Sequence, residues 1–290
     1  MNPRHCIRPK ALHFYRTKRN RPPLGKLEGR PVFNPADFRV YLAERRGVKP
    51  SEIASPEDVI FTYDSKIFQS AITRTAAKPV SWYIYAGRSY QGTVGTRSVG
   101  VVHALIGSSA AAMNLEELIS YGAKRIYELG FAGAIDPKLE PGDVVILAGA
   151  YSDEGTSKHY YRAGSRFSSS RTLTKAVAKS LQRGSLAYSE GYAWTTDAPY
   201  RETVEKVARF RKKGAKVVNM ESSAIFAVAN YRGIDAASVQ IVSDVVSEKW
   251  SPAFHRDIID TRRAQVLAAV LQSIAHQRTG QGERFPTEAQ

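Results

Sequence analysis

The segment Val217 to Val246, VVNMESSAIFAVANYRGIDAASVQIVSDVV, constrains the fold more than any other stretch of the chain. Val217 and Val218 are β-branched and apolar, as a short buried strand requires. Ala224, Ile225, Val228 and Ala229 then recur at helical spacing, and Gly233 stands where a helix stop is expected. Ala237 to Val242 is again an apolar run of strand length, closing on Ser243 and Asp244. The pattern predicts strand, helix opening on Met220-Glu221, strand. If the two strands are parallel, the crossover brings Glu221 and Asp244 to one carboxyl-terminal sheet edge, where open α/β sheets bind ligands. Each acid alone also has a structural explanation. A Glu in the first turn of a helix gains about 0.3–1 kcal/mol from the helix dipole, and Asp after a strand commonly forms a turn or cap.

The same alternation runs through the rest of the chain. Pro35–Arg46 predicts a helix capped by Asn34 with Pro at its first position. Strands are expected at Val59–Thr62, Trp82–Ala86, Val99–Ile106, Arg125–Leu129, Val144–Ala148 and Ala187–Trp194. Helices are expected from Tyr63-Asp64-Ser65-Lys66 to Ile72, and at Ala111–Tyr121, Thr172–Leu181, Glu202–Lys213 and Ile258–Gln277. Gly87, Gly92 and Gly95 punctuate a connection, and Asp153–His159 (DEGTSKH) is a loop. The fold class that follows is α/β, three layers about a mixed central sheet, over residues 34–277. A basic arm (1–33) precedes this domain. The tail, 278–290, has the Gly, Gln and Glu content of a disordered segment.

The net charge of +15 is unevenly spread. Residues 1–30 hold nine Lys or Arg against the single acid Glu28. Such an arm can bind nucleic acid or wrap a neighbouring subunit, and no zinc-finger or RNP-like motif supports sequence reading. Its Arg-rich start has some character of a transit peptide, but it is poor in serine and carries prolines. The lone Cys6 rules out an internal disulfide framework and suits a reducing, cytoplasmic compartment. No apolar run approaches the roughly 20 residues of a membrane span. No metal-ligand spacing is present, so neither a metal nor an organic cofactor is expected.

Two glycine runs could approach a ligand. Gly107-Ser108-Ser109, between a strand and a helix, can offer backbone N–H groups and hydroxyls to an anion or sugar. Gly130 to Ala134 carries one bulky side chain, Phe131, and leaves backbone open to a flat ring. Neither has the Gly-Lys-Ser/Thr of a Walker loop, and both runs are also consistent with tight turns and close packing.

Taken together, five segments resemble the nucleoside phosphorylase family, which includes uridine phosphorylase, hexameric purine nucleoside phosphorylase and methylthioadenosine nucleosidase. They are LIGSSAAAMNLEEL (Leu105–Leu118), GFAGAIDPKLEPGDVVI (Gly130–Ile146), DEGTSKHY (Asp153–Tyr160), NMESSAIFAVA (Asn219–Ala229) and VSD (Val242–Asp244). TTDAPYRET (Thr195–Thr203) resembles a uridine-phosphorylase-like branch. The resemblance implies cleavage of the N-glycosidic bond of a nucleoside. It implies that Glu221 takes both ribose hydroxyls with Met220 packed on the sugar. It further implies that Asp244 donates a proton to, or hydrogen-bonds with, N7 of a purine, and that Ala132, Gly133 and Asn219 line the base. Family uridine phosphorylases usually lack that aspartate, which favours purines. A homodimer or hexamer with sites at subunit contacts is also implied, the donated residue being unnamed. By the same analogy Tyr200 and Glu202 line the base pocket, and His159 is a candidate neighbour.

The phosphate site departs from the family pattern. Glu128 stands where the family has an arginine, Phe131 where it has a hydroxyl residue, and Ser109-Ala110 where its turn ends in Pro-Ser. Its Gly-Asp-Pro-x-Arg loop appears as Thr62-Tyr63-Asp64-Ser65-Lys66. An acid about 4 Å from phosphate costs about 4 kcal/mol per unit charge at an effective dielectric near 20. Three readings remain open. Lys66, Arg88 or arginines of the 162–171 loop rebuild an anion site with Gly107, Ser108 and Ser109, and inorganic phosphate is the co-substrate; or water replaces phosphate, polarised by Glu128; or the chain binds or stores nucleosides without cleaving them.

Overall fold

Helix α1 (Pro35–Arg46) begins and ends as its residues dictate. Asn34 Oδ1 accepts from the Ala36 and Asp37 N–H groups, and Asn34 N donates back to Asp37 Oδ2 at 2.8 Å. Gly47 ends the helix in the left-handed region at φ 65°. In this computed structural model, residues 26, 27, 29, 31–80, 88–161 and 166–277 are described. The order continues β1 (Asp58–Thr62), α2 (Ser65–Thr75), β2 (Lys78–Pro79), β3 (Arg88–Val94), β4 (Arg97–His103) and α3 (Ser108–Ser120). Then come β5 (Arg125–Ala134), β6 (Val144–Asp153), β7 (Arg166–Ser168), α4 (Arg171–Arg183), β8 (Ser189–Thr196) and α5 (Val204–Lys212). The chain closes with β9 (Ala215–Asn219), α6 (Ser222–Arg232), β10 (Asp235–Val245), β11 (Ser251–Pro252) and α7 (Asp257–Ala275).

The expected three layers are present. One core joins α3 and α6 to the sheet through Leu115, Leu118, Ile225 and Phe226. A second, on the opposite face, joins α2, α4 and α7 through Phe68, Val177, Leu267 and Val270. Helix α6 is buried from Ser222 to Ala229 without a break. Its small residues allow that, since a helix enclosed on all sides must be apolar or satisfied throughout.

The sheet is mixed, and β5 is its hinge. Along Arg125–Leu129 it lies between β1 and β10, both parallel to it. Beyond Leu129, β1 departs, and β9 takes up the same flank antiparallel at Gly133 and Ala134. Strands β10, β6, β8 and β9 lead back to β5, closing a five-membered ring, while β1, β4, β3 and β2 extend as an open sheet. Gly130, Phe131 and Ala132 pair only with β10 among the described strands. Because β1 ends at Thr62 and β9 ends at Asn219, two strand termini point at each other across these three residues.

This arrangement corrects several expectations. Strands β9 and β10 are not a parallel pair: β10 runs with β5 and β9 against it. Ring closure, not a simple crossover, therefore brings their ends together. Gly130–Ala134 does not follow a strand but completes β5. Residues 88–94, expected in a connection, form β3, paired to β4 through a turn at Gly95. Gly92 sits inside that strand because a side chain there would strike Thr75 of α2. The expected strand Trp82–Ala86, most of the basic arm and the tail lie outside the described residues. No described helix is long and apolar enough to cross a membrane.

Gly133 is the tightest point of the closure. A Cβ there would lie 2.5 Å from Val246 Cγ2, 3.2 Å from Asp244 Oδ2 and 3.3 Å from Val218 Cγ1. Gly133→Ala is expected to cost about 1–3 kcal/mol of stability in urea unfolding. Gly155→Ala, where the added carbon would meet Asp197 Oδ2 at an ordinary 3.5 Å, should stay within about 0.5 kcal/mol. Equal effects at both positions would contradict the closure.

Candidate active site

The gap between the facing ends of β1 and β9 opens into a cavity of about 1100 Å³, slightly above the roughly 300–1,000 Å³ usual for small-molecule sites. Gly130, Phe131, Ala132 and Gly133 of β5 form one wall. Asn219, Met220 and Glu221 enter from the end of β9, Ser243 and Asp244 from β10, and Tyr63 and Asp64 from the end of β1. Tyr200 and Glu202 come from the turn after β8, and Trp250 and Phe254 from the segment after β10. The two acids singled out in the sequence thus open onto one space.

Glu221 stands at the N-cap position of α6 yet does not cap that helix. Its Oε1 accepts from Gly107 N at 2.8 Å, and its Oε2 from Met220 N at 3.2 Å. Gly107 is the N-cap of α3, so the carboxylate lies at the positive end of that helix. Ser108 Oγ donates to the Met220 carbonyl at 2.6 Å, and Ser109 is exposed. The Gly107 turn therefore does offer its first N–H to a carboxyl group, but that carboxyl is internal.

Behind Glu221 lies Glu128, wholly buried and outside the cavity lining. It accepts from Ser222 Oγ at 2.7 Å and from the Tyr63 hydroxyl at 3.3 Å. Tyr63 presents to the cavity in its place, so direct polarisation of a cavity water by Glu128 is not what this arrangement provides. Burial raises the Glu128 carboxyl above its usual range, opposed by the hydroxyls of Ser222, Ser238 and Tyr63. Glu221 is raised to about 8, first by burial and then by repulsion from Glu128, against the two backbone N–H bonds. The Tyr63 phenol is pushed far up by burial and by both acids, and stays neutral.

At the opposite end, Asp244 is nearly buried and doubly bonded. Trp250 Nε1 donates to its Oδ2 at 2.8 Å, and Ser243 Oγ to its Oδ1 at 2.7 Å. Glu202 is raised to about 7, mainly by burial and then by the charge on Asp244. Asn219 lines the cavity but is tied on both sides: its Oδ1 accepts from Thr195 Oγ1 at 2.9 Å and its Nδ2 donates to Ser222 Oγ at 2.6 Å.

Of the cations expected to rebuild a phosphate site, those among the described residues lie outside the cavity lining. Lys66 pairs with Asp260 at 2.9 Å on the exposed face of α2. Arg88 is exposed at the start of β3, Arg166 lies over the Tyr192 ring at 4.5 Å, Arg171 opens α4, and Arg162 is outside the described residues. His159 is exposed and away from the lining. Sequence reasoning missed Arg263, whose guanidinium sits 4.7 Å from the centroid of Phe131. It is bound to Asp64 at 3.1 and 3.2 Å and to Asp260. It also missed Trp250, because an indole in a loop has no spacing signal. Among the described residues no group of His, Cys, Asp and Glu is placed to hold a metal.

The acid cluster has a consequence for stability. A carboxyl with a folded value of about 8 against an ordinary 4.5 binds its proton more tightly when folded. Its contribution is complete below about pH 4.5 and is lost as pH rises toward about 8. The melting temperature of the ligand-free chain should fall across that window, and Glu221→Gln should flatten the fall. Identical profiles for both proteins would contradict this arrangement.

Among known proteins, the profile of the phosphorylase superfamily matches residues 66–275. A guanosine phosphorylase of Halorubrum lacusprofundi is 29% identical over 161 residues, 54% of this chain and 64% of that relative. A DeoD-type purine nucleoside phosphorylase of Bacillus cereus is 30% identical over 159 residues, 53% of this chain and 67% of that one. The match thus spans only about two thirds of these relatives' length. The crystal structure of a purine nucleoside phosphorylase from Toxoplasma gondii shares the fold, with a TM-score of 0.70 at 21% identity, covering 78% of this chain and 92% of that one. By this profile match and the closed-ring sheet that carries the cavity, the chain belongs to the phosphorylase superfamily.

Proposed function

We infer that this chain cleaves the N-glycosidic bond of a purine nucleoside, with phosphate as the acceptor. The observation that carries the cleavage is the placing of Glu221 and Asp244 on one cavity whose wall is the Gly130–Gly133 backbone. In this reading the ribose 2′- and 3′-hydroxyls donate to Glu221, and Met220 lies against the sugar. Hydrogen bonds to this carboxyl contribute about 0.5–1.5 kcal/mol each while it is neutral and about 1.5–3 kcal/mol once it is ionised, and together they hold C1′ in place while its bond to the base breaks. The base lies along Ala132 and Gly133, where the missing side chains leave room for a ring, and reaches Asp244. Phosphate as acceptor is supported by the names of the guanosine and purine nucleoside phosphorylase relatives. No cofactor is needed for this transfer.

A second reading, with water as acceptor, has its own support. The cavity is lined by six carboxyl groups, those of Asp64, Glu202, Glu205, Glu221, Asp244 and Glu248, and by no Lys, Arg or His among the described residues. Each ionised neighbour about 4 Å from phosphate costs about 4 kcal/mol at an effective dielectric near 20. Phosphate binding would require a cation such as Arg263 to leave Asp64, or one from a neighbouring subunit.

A homo-oligomer is part of the proposal. Ile106, Tyr200 and Trp250 line the cavity yet are 65%, 99% and 58% exposed, apolar surface that a second copy would cover. Sedimentation should therefore find a dimer or larger species, and a strict monomer at about 10 μM would remove this element.

The cleavage is tested by incubating the chain with inosine, guanosine, adenosine and uridine, with and without phosphate. Ribose 1-phosphate is the expected sugar product, and free ribose would select the water reading. Glu221→Gln should lower kcat/KM by about 10- to 100-fold through weaker ribose binding. Release of neither sugar from any nucleoside would reject glycosidic cleavage.

A further inference from the structure

The base end of the cavity holds two carboxyl groups with different environments. Both oxygens of Asp244 are already acceptors, one from the Trp250 indole N–H and one from the Ser243 hydroxyl. An indole N–H can only donate, so the Asp244 oxygen opposite it is an acceptor and not a donor. Glu202 faces the same space, half-buried, and its carboxyl has no hydrogen-bond partner among the described residues. Its backbone is fixed: Glu202 N donates to Pro199 O at 3.2 Å, and the next residue, Thr203, caps α5 through Lys206 N.

The charge that acts on Glu202 shares its sign: it is that of Asp244, from β10. Glu205 of α5 and Glu248 of the segment after β10 line the same cavity, while the adjacent Arg201 is exposed and outside the lining. A half-buried carboxyl beside Asp244, with no donor among the described residues, relieves repulsion by keeping its proton. That agrees with its rise to about 7, in the range where a general acid is most effective. A carboxyl without a donor beside one whose two oxygens already accept divides the roles of donor and fixed acceptor.

We propose that Glu202, and not Asp244, hands the proton to the departing base. The inference rests on the reading of the cavity as a site of glycosidic cleavage. As the C1′–N9 bond breaks, its electron pair passes into the imidazole ring. N7 takes the proton from the Glu202 carboxyl, which becomes a carboxylate, and an oxygen of the acceptor forms the new bond to C1′. With phosphate this completes the transfer; with water the acceptor also releases a proton to solvent. Glu202 regains its proton from solvent through the open mouth of the cavity. Asp244, held by Trp250 and Ser243, acts as a hydrogen-bond acceptor toward the base.

The test compares inosine with 7-methylinosine, whose leaving ring carries its own positive charge and needs no proton at N7. For the wild type, kcat with inosine should fall as pH rises through about 7, because the protonated acid is lost, while 7-methylinosine should show no such limb. Glu202→Gln should lower kcat with inosine by about 100-fold, remove that limb and leave 7-methylinosine within about threefold, the latter showing that the variant is folded. Asp244→Asn should keep the limb. The proposal is overturned if Glu202→Gln matches the wild type on inosine, if it slows both substrates equally, or if the limb disappears with Asp244→Asn instead. Cleavage of neither substrate by the wild type would overturn the reaction itself, an outcome distinct from the others.

Discussion

One flank of β5 is contested by two strands, and the structure depends on how that is settled. Strand β1 holds the flank to Leu129, and β9 takes it from Gly133 in the opposite direction. The residues between, Gly130, Phe131 and Ala132, are supported on one side only, by β10. Unpaired backbone polar groups need partners or solvent, so the gap stays open instead of being filled by core. It becomes a cavity because both facing termini deliver polar residues, Tyr63-Asp64 from one and Met220-Glu221 from the other. Gly133 makes the junction possible, since Val218, Asp244 and Val246 all approach where its side chain would be.

The electrostatics follow from that geometry. Glu221 and Glu128 are close enough to repel each other and are both shielded from water. Neither has a cation partner among the described residues. They are held instead by hydroxyls and backbone N–H groups, from Ser222, Tyr63, Gly107 and Met220. Neutral donors can support a carboxyl in either protonation state, whereas an arginine would fix it as ionised. The same choice is made differently at the Asp244 end of the cavity, where Trp250 and Ser243 hold Asp244 and Glu202 has no donor among the described residues. Basic groups are plentiful in the chain, which carries +15, yet Arg263, whose guanidinium reaches Phe131 of the cavity wall, is tied to Asp64 and Asp260.

Much of the local structure was legible in the residues themselves. Asn34, Pro35 and Gly47 bound α1 by capping chemistry that acts within one turn. The apolar runs from Val59, Val144 and Ala237 fall inside β1, β6 and β10. Strand β3 was not legible, because Gly92 reads as a break in isolation. It is a strand residue only because Thr75 of a different element lies against it. The likeness of the Met220-Glu221 and Ser243-Asp244 segments to family motifs pointed to the acids that share the cavity, although the reason offered, a parallel crossover, was not the one the sheet uses. Lys66 was named from its position in a short motif, and Asp260, almost two hundred residues later, pairs with it instead.

The chain by itself determined its α/β alternation, its helix ends and which carboxylates were worth following. These depend on side-chain periodicity and on hydrogen bonds between near neighbours, which sequence order preserves. Only the tertiary structure decided that β9 runs against β5, that Tyr63 screens Glu128 and that Glu202 stands opposite Asp244. Each of those depends on which distant segment fills a given volume, and the charge a buried acid carries depends on that neighbour more than on its own identity.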